Sequence, residues 1–125
     1  LSAKLKYLDQ WNKMRQALAG EYARQLSGVV MPSLSPNRTH VYQTFAIRVL
    51  NREKVMNGLK AKGVASLIHY PIPIHMQEAY NDAGFRQGDF PVAEKVSDEI
   101  LSLPMFPHMT TARVTEVVSA LKGAL

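Results

Sequence analysis

Two kinds of apolar repeat alternate along this chain, and their order limits the possible folds more than any single motif does. Apolar residues recur with helical spacing near the start of the chain and in several later segments, whereas residues 41–49 alternate with the period of a strand. The predicted order of elements is α-β-α-β-α-α-β-α. This order indicates an α/β or α+β fold, in which helices cover one face of a small sheet of three or four strands.

The first predicted helix is long and amphipathic and ends at about Leu26, just before Ser27 and Gly28. Its apolar stripe consists of Leu1, Leu5, Leu8, Trp11, Leu18 and Tyr22. Because Leu1 already lies on that stripe, we expect this helix to be the end of something longer.

The later elements are predicted from strand alternation, helical spacing and capping residues. In the strand over residues 41–49, one side is predicted to face the core and Tyr42 to lie on the other; the inward side consists of Val41, Phe45, Ile47 and Val49. The next elements are a helix that Asn51 caps and that ends before Gly63, a strand over residues 64–68, and a brief helix over residues 76–83 closed by Gly84. They are followed by a helix that Asp89 caps, an edge strand over residues 101–103, and a last helix that starts at Thr110 or Thr111. The residues predicted to be buried are Val55, Met56 and Leu59 in the first of these helices, Val92, Val96 and Ile100 in the helix after Asp89, and Val114, Val117, Val118 and Leu121 in the last helix.

Length and composition indicate one ordinary globular domain, spanning residues 1–125. The 15 Lys and Arg residues outnumber the 10 Asp and Glu residues, but the charges are scattered. We therefore predict a solvated surface and no nucleic-acid partner, although a negatively charged small substrate would also use the excess. No apolar run is long enough to predict a membrane span. The chain has no cysteine, which excludes disulfides and is compatible with a cytoplasmic location.

Residues 69–75 combine two histidines, a tyrosine and two prolines, and we call this segment the arm. Each proline fixes its own φ and disfavours helix at the residue before it, which predicts a stiff, extended arm. Rigid loops that carry His69 and Tyr70 suit ligand recognition or chemistry. The same residues also suit a structural connector whose aromatic ring joins the core, and the segment alone does not decide between the two.

No complete catalytic set is visible from residue chemistry alone. The four histidines, His40, His69, His75 and His108, lack the spacing of a metal site. No serine lies in a nucleophile elbow, and no glycine-rich phosphate loop is present. The acidic residues near the fourth helix, among them Glu94, are best explained as capping and surface charges.

Residues 63–75 (GVASLIHYPIPIH) resemble the signature of the DegT/StrS family of nucleotide-sugar aminotransferases. Blocks in the family's order flank this stretch on both sides, so the resemblance covers essentially the whole chain. They are residues 5–12, 40–49 (HVYQTFAIRV), 51–53, 77–80 (QEAY), 88–94 (GDFPVAE) and 101–107 (LSLPMFP).

The resemblance implies the C-terminal small domain of a fold-type-I enzyme that uses pyridoxal 5′-phosphate and works as a homodimer. Residues 1–27 would be the interdomain helix, and residues 28–125 the sheet and its helices. The parent enzyme would move an amino group from an amino acid, expected to be glutamate, to a keto nucleotide-sugar. The lysine that binds the cofactor belongs to the large domain in this family. We therefore expect the 125 residues alone to bind no cofactor and to have no catalytic residue.

The resemblance also implies which residues contact the substrate. In the family the arm lies near the mouth of the active site, so His69 and Tyr70 are the expected substrate-binding residues. His40 and Tyr42 are further candidates of the same kind, whereas Gln43 departs from the ring that many members have there. The alternative is a freestanding binding or regulatory module descended from this domain.

Overall fold

The computed structural model describes residues 1–125, and five α-helices and two β-strands make up its regular structure. In chain order these are α1 (Ser2–Leu5), α2 (Leu8–Gln25), β1 (Phe45–Arg48), α3 (Arg52–Ala61), α4 (Pro91–Glu99), β2 (Ile100–Leu103) and α5 (Thr111–Lys122). Two 3₁₀ helices, Ile74–Met76 and Glu78–Ala83, replace the brief helix predicted before Gly84. None of the helices combines the length and the apolar character that crossing a bilayer requires.

The sheet confirms the mixed class but has a ladder of two strands rather than three or four. β1 pairs antiparallel with β2, with Phe45 opposite Leu103. Val30 pairs once with the outer edge of β1, and Leu67 pairs once with the outer edge of β2. The strand predicted over residues 64–68 is therefore present only as a single pair. Beyond Val30, the next residue able to pair is Pro32, which has no N–H to donate.

One face of the sheet forms the core with α2, α3 and α5. Tyr22 of α2 stacks on Phe45 at a centroid distance of 4.7 Å, and both side chains are buried. The inward residues predicted for α3 and α5 are confirmed, except that Met56 is only half-buried; the buried ones are Val55, Leu59, Val114, Val117, Val118 and Leu121.

The predicted stripe of the first helix is divided in two. The helix is interrupted between α1 and α2, and its apolar residues become buried only from Leu18 onwards. Leu1, Leu5 and Leu8 are exposed.

The strand prediction was too long at its start. Val41 is exposed rather than inward, because Tyr42 adopts a φ of +47° and breaks the strand before Phe45. Tyr42 is half-buried and packs against the core instead of lying on the opposite face of a strand. From Phe45 onwards the alternation of buried and half-buried residues follows the prediction.

Helix ends are mostly as predicted. Gly63 has a φ of +72° just past α3, and the hydroxyl of Thr110 accepts a hydrogen bond from the backbone N–H of Arg113 at the start of α5. Asn51 holds the N-cap position of α3 without a side-chain hydrogen bond.

The prediction for α4 was wrong in two respects. Phe90, not Asp89, is the N-cap, and the Asp89 carboxylate instead accepts from the backbone N–H of Arg86. Of the stripe predicted to be inward, Val92 is 76% exposed and Val96 is half-buried. Helical spacing shows that a face is apolar, but it does not show which element covers that face.

Candidate functional site

The arm bends at Tyr70 rather than running straight. Tyr70 has a φ of +57°, a left-handed conformation that costs a bulky residue about 1–2 kcal/mol. Its side chain is 87% exposed, so no core packing accounts for this conformation. Strained backbone of this kind is often found at ligand sites, and Tyr70 is one of the two residues predicted to contact substrate.

His69 is held against the sheet at the start of the arm. Its Nδ1 lies 2.9 Å from the hydroxyl oxygen of Ser102, a buried residue of β2. Two residues earlier, Leu67 exchanges both of its backbone hydrogen bonds with Ser102, at 2.8 and 3.1 Å. The position of the His69 ring is therefore fixed by β2 through the backbone and through its own side chain.

An apolar groove of about 680 Å³ runs between the arm and α4. The lining includes His69, Tyr70, Phe90, Val92, Val96 and Ile100. The α4 stripe that was predicted to be buried is thus one wall of this groove. His69 also lines a second cavity of about 270 Å³, together with Gln43, Thr44 and Ser102.

The other end of the arm is fixed by Glu94 of α4. Its carboxylate accepts hydrogen bonds from the backbone N–H groups of Gly88, at 2.9 and 3.0 Å, and of Phe90, at 3.3 Å. It also contacts Nε2 of His75 at 3.0 Å. The Gly88 hydrogen bond lowers the pKa of Glu94 most; His75 and Phe90 lower it further, and desolvation opposes them. The ring of His75 in turn packs on Phe90, with centroids 4.7 Å apart.

His40 and Tyr42 form a pair outside both cavities. Nδ1 of His40 accepts a hydrogen bond of 2.7 Å from the backbone N–H of Tyr42, and the two rings lie 4.4 Å apart. Gln16 of α2 donates to the His40 carbonyl oxygen at 3.0 Å. The structure therefore brings His69 and Tyr70 together at the groove and leaves His40 and Tyr42 on the adjoining surface.

Sequence reasoning missed Ser102 as a site residue and understood Glu94 only as a capping charge. The signal for Ser102 was weak but present: a serine between Leu101 and Leu103 in a strand must point to the face opposite theirs. For Glu94, the only signal was its position six residues after Gly88 and four after Phe90, whose backbone N–H groups its carboxylate binds.

No lysine that could bind pyridoxal phosphate covalently lies at the groove or at the second cavity. All eight lysines are exposed, and none lines the groove or the second cavity; they are Lys4, Lys6, Lys13, Lys54, Lys60, Lys62, Lys95 and Lys122. No three His, Asp or Glu side chains are grouped as metal ligands. The groove offers an apolar wall, an imidazole and a phenol, which suit the binding of a ligand.

The sequence matches the DegT/DnrJ/EryC1/StrS aminotransferase family over residues 1–122. It is 39% identical to the erythromycin biosynthesis sensory transduction protein EryC1 of Saccharopolyspora erythraea, covering 98% of this chain and 34% of that protein. It is 34% identical to the dTDP-3-amino-3,4,6-trideoxy-alpha-D-glucose transaminase of Streptomyces venezuelae, covering 98% of this chain and 33% of that protein.

Solved structures show the same likeness. The crystal structure of DesV from S. venezuelae superimposes with a TM-score of 0.92 at 34% identity, over 98% of this chain and 34% of DesV. The structure of NtdA from Bacillus subtilis, with its cofactor PMP bound, gives a TM-score of 0.77 at 29% identity, over 90% of this chain and 28% of NtdA. The chain thus spans about a third of the length of the relatives that it matches.

Proposed function

Because the chain belongs to the DegT/DnrJ/EryC1/StrS aminotransferase family, we propose that it is the C-terminal domain of a nucleotide-sugar aminotransferase. Residues 1–27 are then the interdomain helix, and residues 28–125 form the small domain. The exposed apolar half of the first helix supports this division, since a second domain would cover it.

The proposed parent reaction transfers an amino group from an amino acid, most simply glutamate, to the keto carbon of a nucleotide-linked sugar. Pyridoxal phosphate supplies the electron sink for such a transfer, and its lysine lies elsewhere in the protein. The S. venezuelae transaminase is named for a dTDP-linked amino sugar, and NtdA has been solved with PMP, which supports both parts of the proposal.

The observation that carries the proposal is the groove between the arm and α4. His69 is fixed at its edge by Ser102, and Tyr70 is held exposed in a strained conformation beside it. We assign these two residues to binding of the nucleotide-sugar. His40 and Tyr42, on the adjoining surface, are the secondary contacts. The remaining exposed apolar side chains of the arm, Ile72 and Ile74, are assigned to the homodimer surface.

Substitutions at the groove test this assignment in the protein expressed from its complete reading frame. His69→Ala and Tyr70→Phe should raise KM for the nucleotide-sugar about 10-fold or more, the effect of losing one hydrogen bond to a charged or polar ligand. The affinity for pyridoxal phosphate should change little. Tyr80→Phe is the matched control, because Tyr80 is an exposed tyrosine that lines neither cavity. Equal loss of substrate and cofactor affinity, or no loss of either, would reject the assigned roles.

The 125-residue chain by itself should neither bind pyridoxal phosphate nor catalyse transamination. The measurement is the visible absorbance of the cofactor after gel filtration with the chain. Retained absorbance that disappears when one of the eight lysines is replaced would contradict the proposal.

The alternative of a freestanding binding or regulatory module uses the same groove without the reaction. Two relatives carry regulatory names, the sensory transduction protein above and a pleiotropic regulatory protein of Geobacillus stearothermophilus. Sequencing the gene upstream of Leu1 separates the alternatives, since a lysine-bearing domain encoded in the same frame favours the enzyme.

A further inference from the structure

Ser102 is one of two buried polar residues in the chain, the other being Ser97. It is 4% exposed, and Leu67 occupies both its backbone N–H and its backbone carbonyl oxygen. The hydroxyl group has one hydrogen-bond partner, Nδ1 of His69 at 2.9 Å. The role of this hydroxyl group therefore depends on one hydrogen bond, the one that it shares with His69.

The direction of that hydrogen bond follows from the chemistry of the two groups. A serine hydroxyl has one hydrogen to donate and two lone pairs that accept. If His69 donated through Nδ1–H, the hydroxyl hydrogen of Ser102 would have no acceptor within the chain. If Ser102 donates, only lone pairs stay unused, and an unused acceptor is the less costly of the two.

We propose that Ser102 is a positioning residue that donates its hydroxyl hydrogen to Nδ1 of His69 and so holds the imidazole as the Nε2–H tautomer. The bond at one ring nitrogen decides which nitrogen carries the proton. The backbone pairing of Leu67 with Ser102 also positions the His69 ring. Ser102 therefore determines both the tautomer and the orientation of that ring.

This tautomer has a consequence for the ligand, which rests on the function proposed above. Nε2 of His69 makes no hydrogen bond within the chain, and His69 lines the groove. A neutral His69 therefore offers the ligand a donor and not an acceptor. The ligand group that contacts it must be an acceptor oxygen, such as a hydroxyl, carbonyl or phosphate oxygen of a nucleotide-sugar.

Nitrogen-15 NMR of the histidine rings tests the proposal in the 125-residue chain without any ligand. Spectra are recorded at about pH 8, well above the ordinary histidine pKa of about 6.5. The His69 signals are assigned by their loss in His69→Gln. We expect a protonated Nε2 and a bare, hydrogen-bonded Nδ1.

Ser102→Ala should move the Nδ1 signal towards that of a free imidazole and make the Nδ1–H form detectable. Ser102→Thr keeps the hydroxyl and should restore the spectrum. Ser97→Ala removes the other buried serine hydroxyl, which also lines the groove but makes no hydrogen bond to a histidine, and should leave the His69 tautomer unchanged.

A wild-type His69 protonated at Nδ1 would overturn the proposal, and so would a spectrum that Ser102→Ala leaves unchanged. If Ser102→Ala does not fold, the wild-type spectrum alone decides. In the protein expressed from its complete reading frame, failure of dTDP-glucose, used as the probe, to perturb His69 would count against the proposed function and leave the tautomer result standing.

Discussion

Removing the Tyr22 hydroxyl should destabilise the chain by a predictable amount and change its response to alkaline pH. Tyr22 lies in α2 and is wholly buried, with its ring stacked on Phe45. Its hydroxyl donates to the backbone carbonyl oxygen of Pro104 at 2.8 Å, across 82 residues of sequence. Tyr22→Phe keeps the ring packing and deletes this one hydrogen bond.

The loss of stability depends on how well the Pro104 carbonyl oxygen is hydrogen-bonded after the tyrosine hydroxyl is removed. The Pro104 carbonyl oxygen loses its protein donor, but Pro104 is only half-buried, so water can replace part of the bond. We therefore expect a loss of about 1 kcal/mol in the free energy of unfolding, towards the low end for an unpaired buried group. With a urea m-value of about 2 kcal/mol per molar, the midpoint should fall by about 0.5 M.

The alkaline response has a definite sign. Burial raises the pKa of the Tyr22 hydroxyl above its ordinary value of 10.0. Above that ordinary value the unfolded chain loses this proton while the folded chain keeps it, so the tyrosine's contribution to stability is complete below pH 10.0 and falls as pH rises further. Phenylalanine has no such proton. The difference in stability between wild type and Tyr22→Phe should therefore shrink on the alkaline side.

Urea titrations followed by circular dichroism, at neutral pH and at several alkaline values, measure both effects. Tyr80→Phe is the control for tyrosines in general, because Tyr80 is exposed. Equal midpoints for wild type and Tyr22→Phe at neutral pH would refute the assigned hydrogen bond. A difference that stays constant through the alkaline range would refute the raised pKa.

Two further substitutions test the packing around the site and the core. Glu94→Gln should lower the urea midpoint at neutral pH. Because the folded state lowers the Glu94 pKa, wild type should lose this advantage as pH falls below the unfolded carboxyl pKa of about 4.3, so that the two midpoints converge in acid. Gly58→Ala should lower the midpoint, since the added Cβ would lie 2.6 Å from Cβ of Ala124. Gly20→Ala meets no atom within 4 Å and should stabilise its helix by about 1 kcal/mol, so equal effects of the two alanines would contradict the close contact.

Elements whose stability depends on their own periodicity were predictable from the sequence. The spacing of Val114, Val117 and Leu121 reports one buried face of α5, and Thr110 caps that helix as its sequence position suggested. The glycine after α3 followed from the same local rules. These predictions needed no knowledge of what the helix packs against.

Features that depend on distant partners were not predictable. The sequence of α4 showed an apolar stripe but not that Val92 lines an open groove, because periodicity does not identify the covering element. Ser102 contacts His69 across 33 residues, and no local pattern records that pairing. Tyr42 was misplaced for a related reason: its positive φ is stabilised by contacts with His40 and Phe45 and not by a turn residue.

The rigidity of the arm likewise has a different cause from the one that its prolines suggest. Proline restricts φ at two positions, but Tyr70 between them and His69 still adopts a left-handed bend. What gives the arm one position is its attachment at both ends, to β2 through the contact of His69 with Ser102 and to α4 through the contact of His75 with Glu94. Both attachments use buried or partly buried side chains on regular elements, which hold a site more accurately than a loop can by itself. The exposed phenol of Tyr70 is thus presented at a fixed place beside the groove, and loosening either attachment should weaken the binding proposed there even though neither Ser102 nor Glu94 lines the groove.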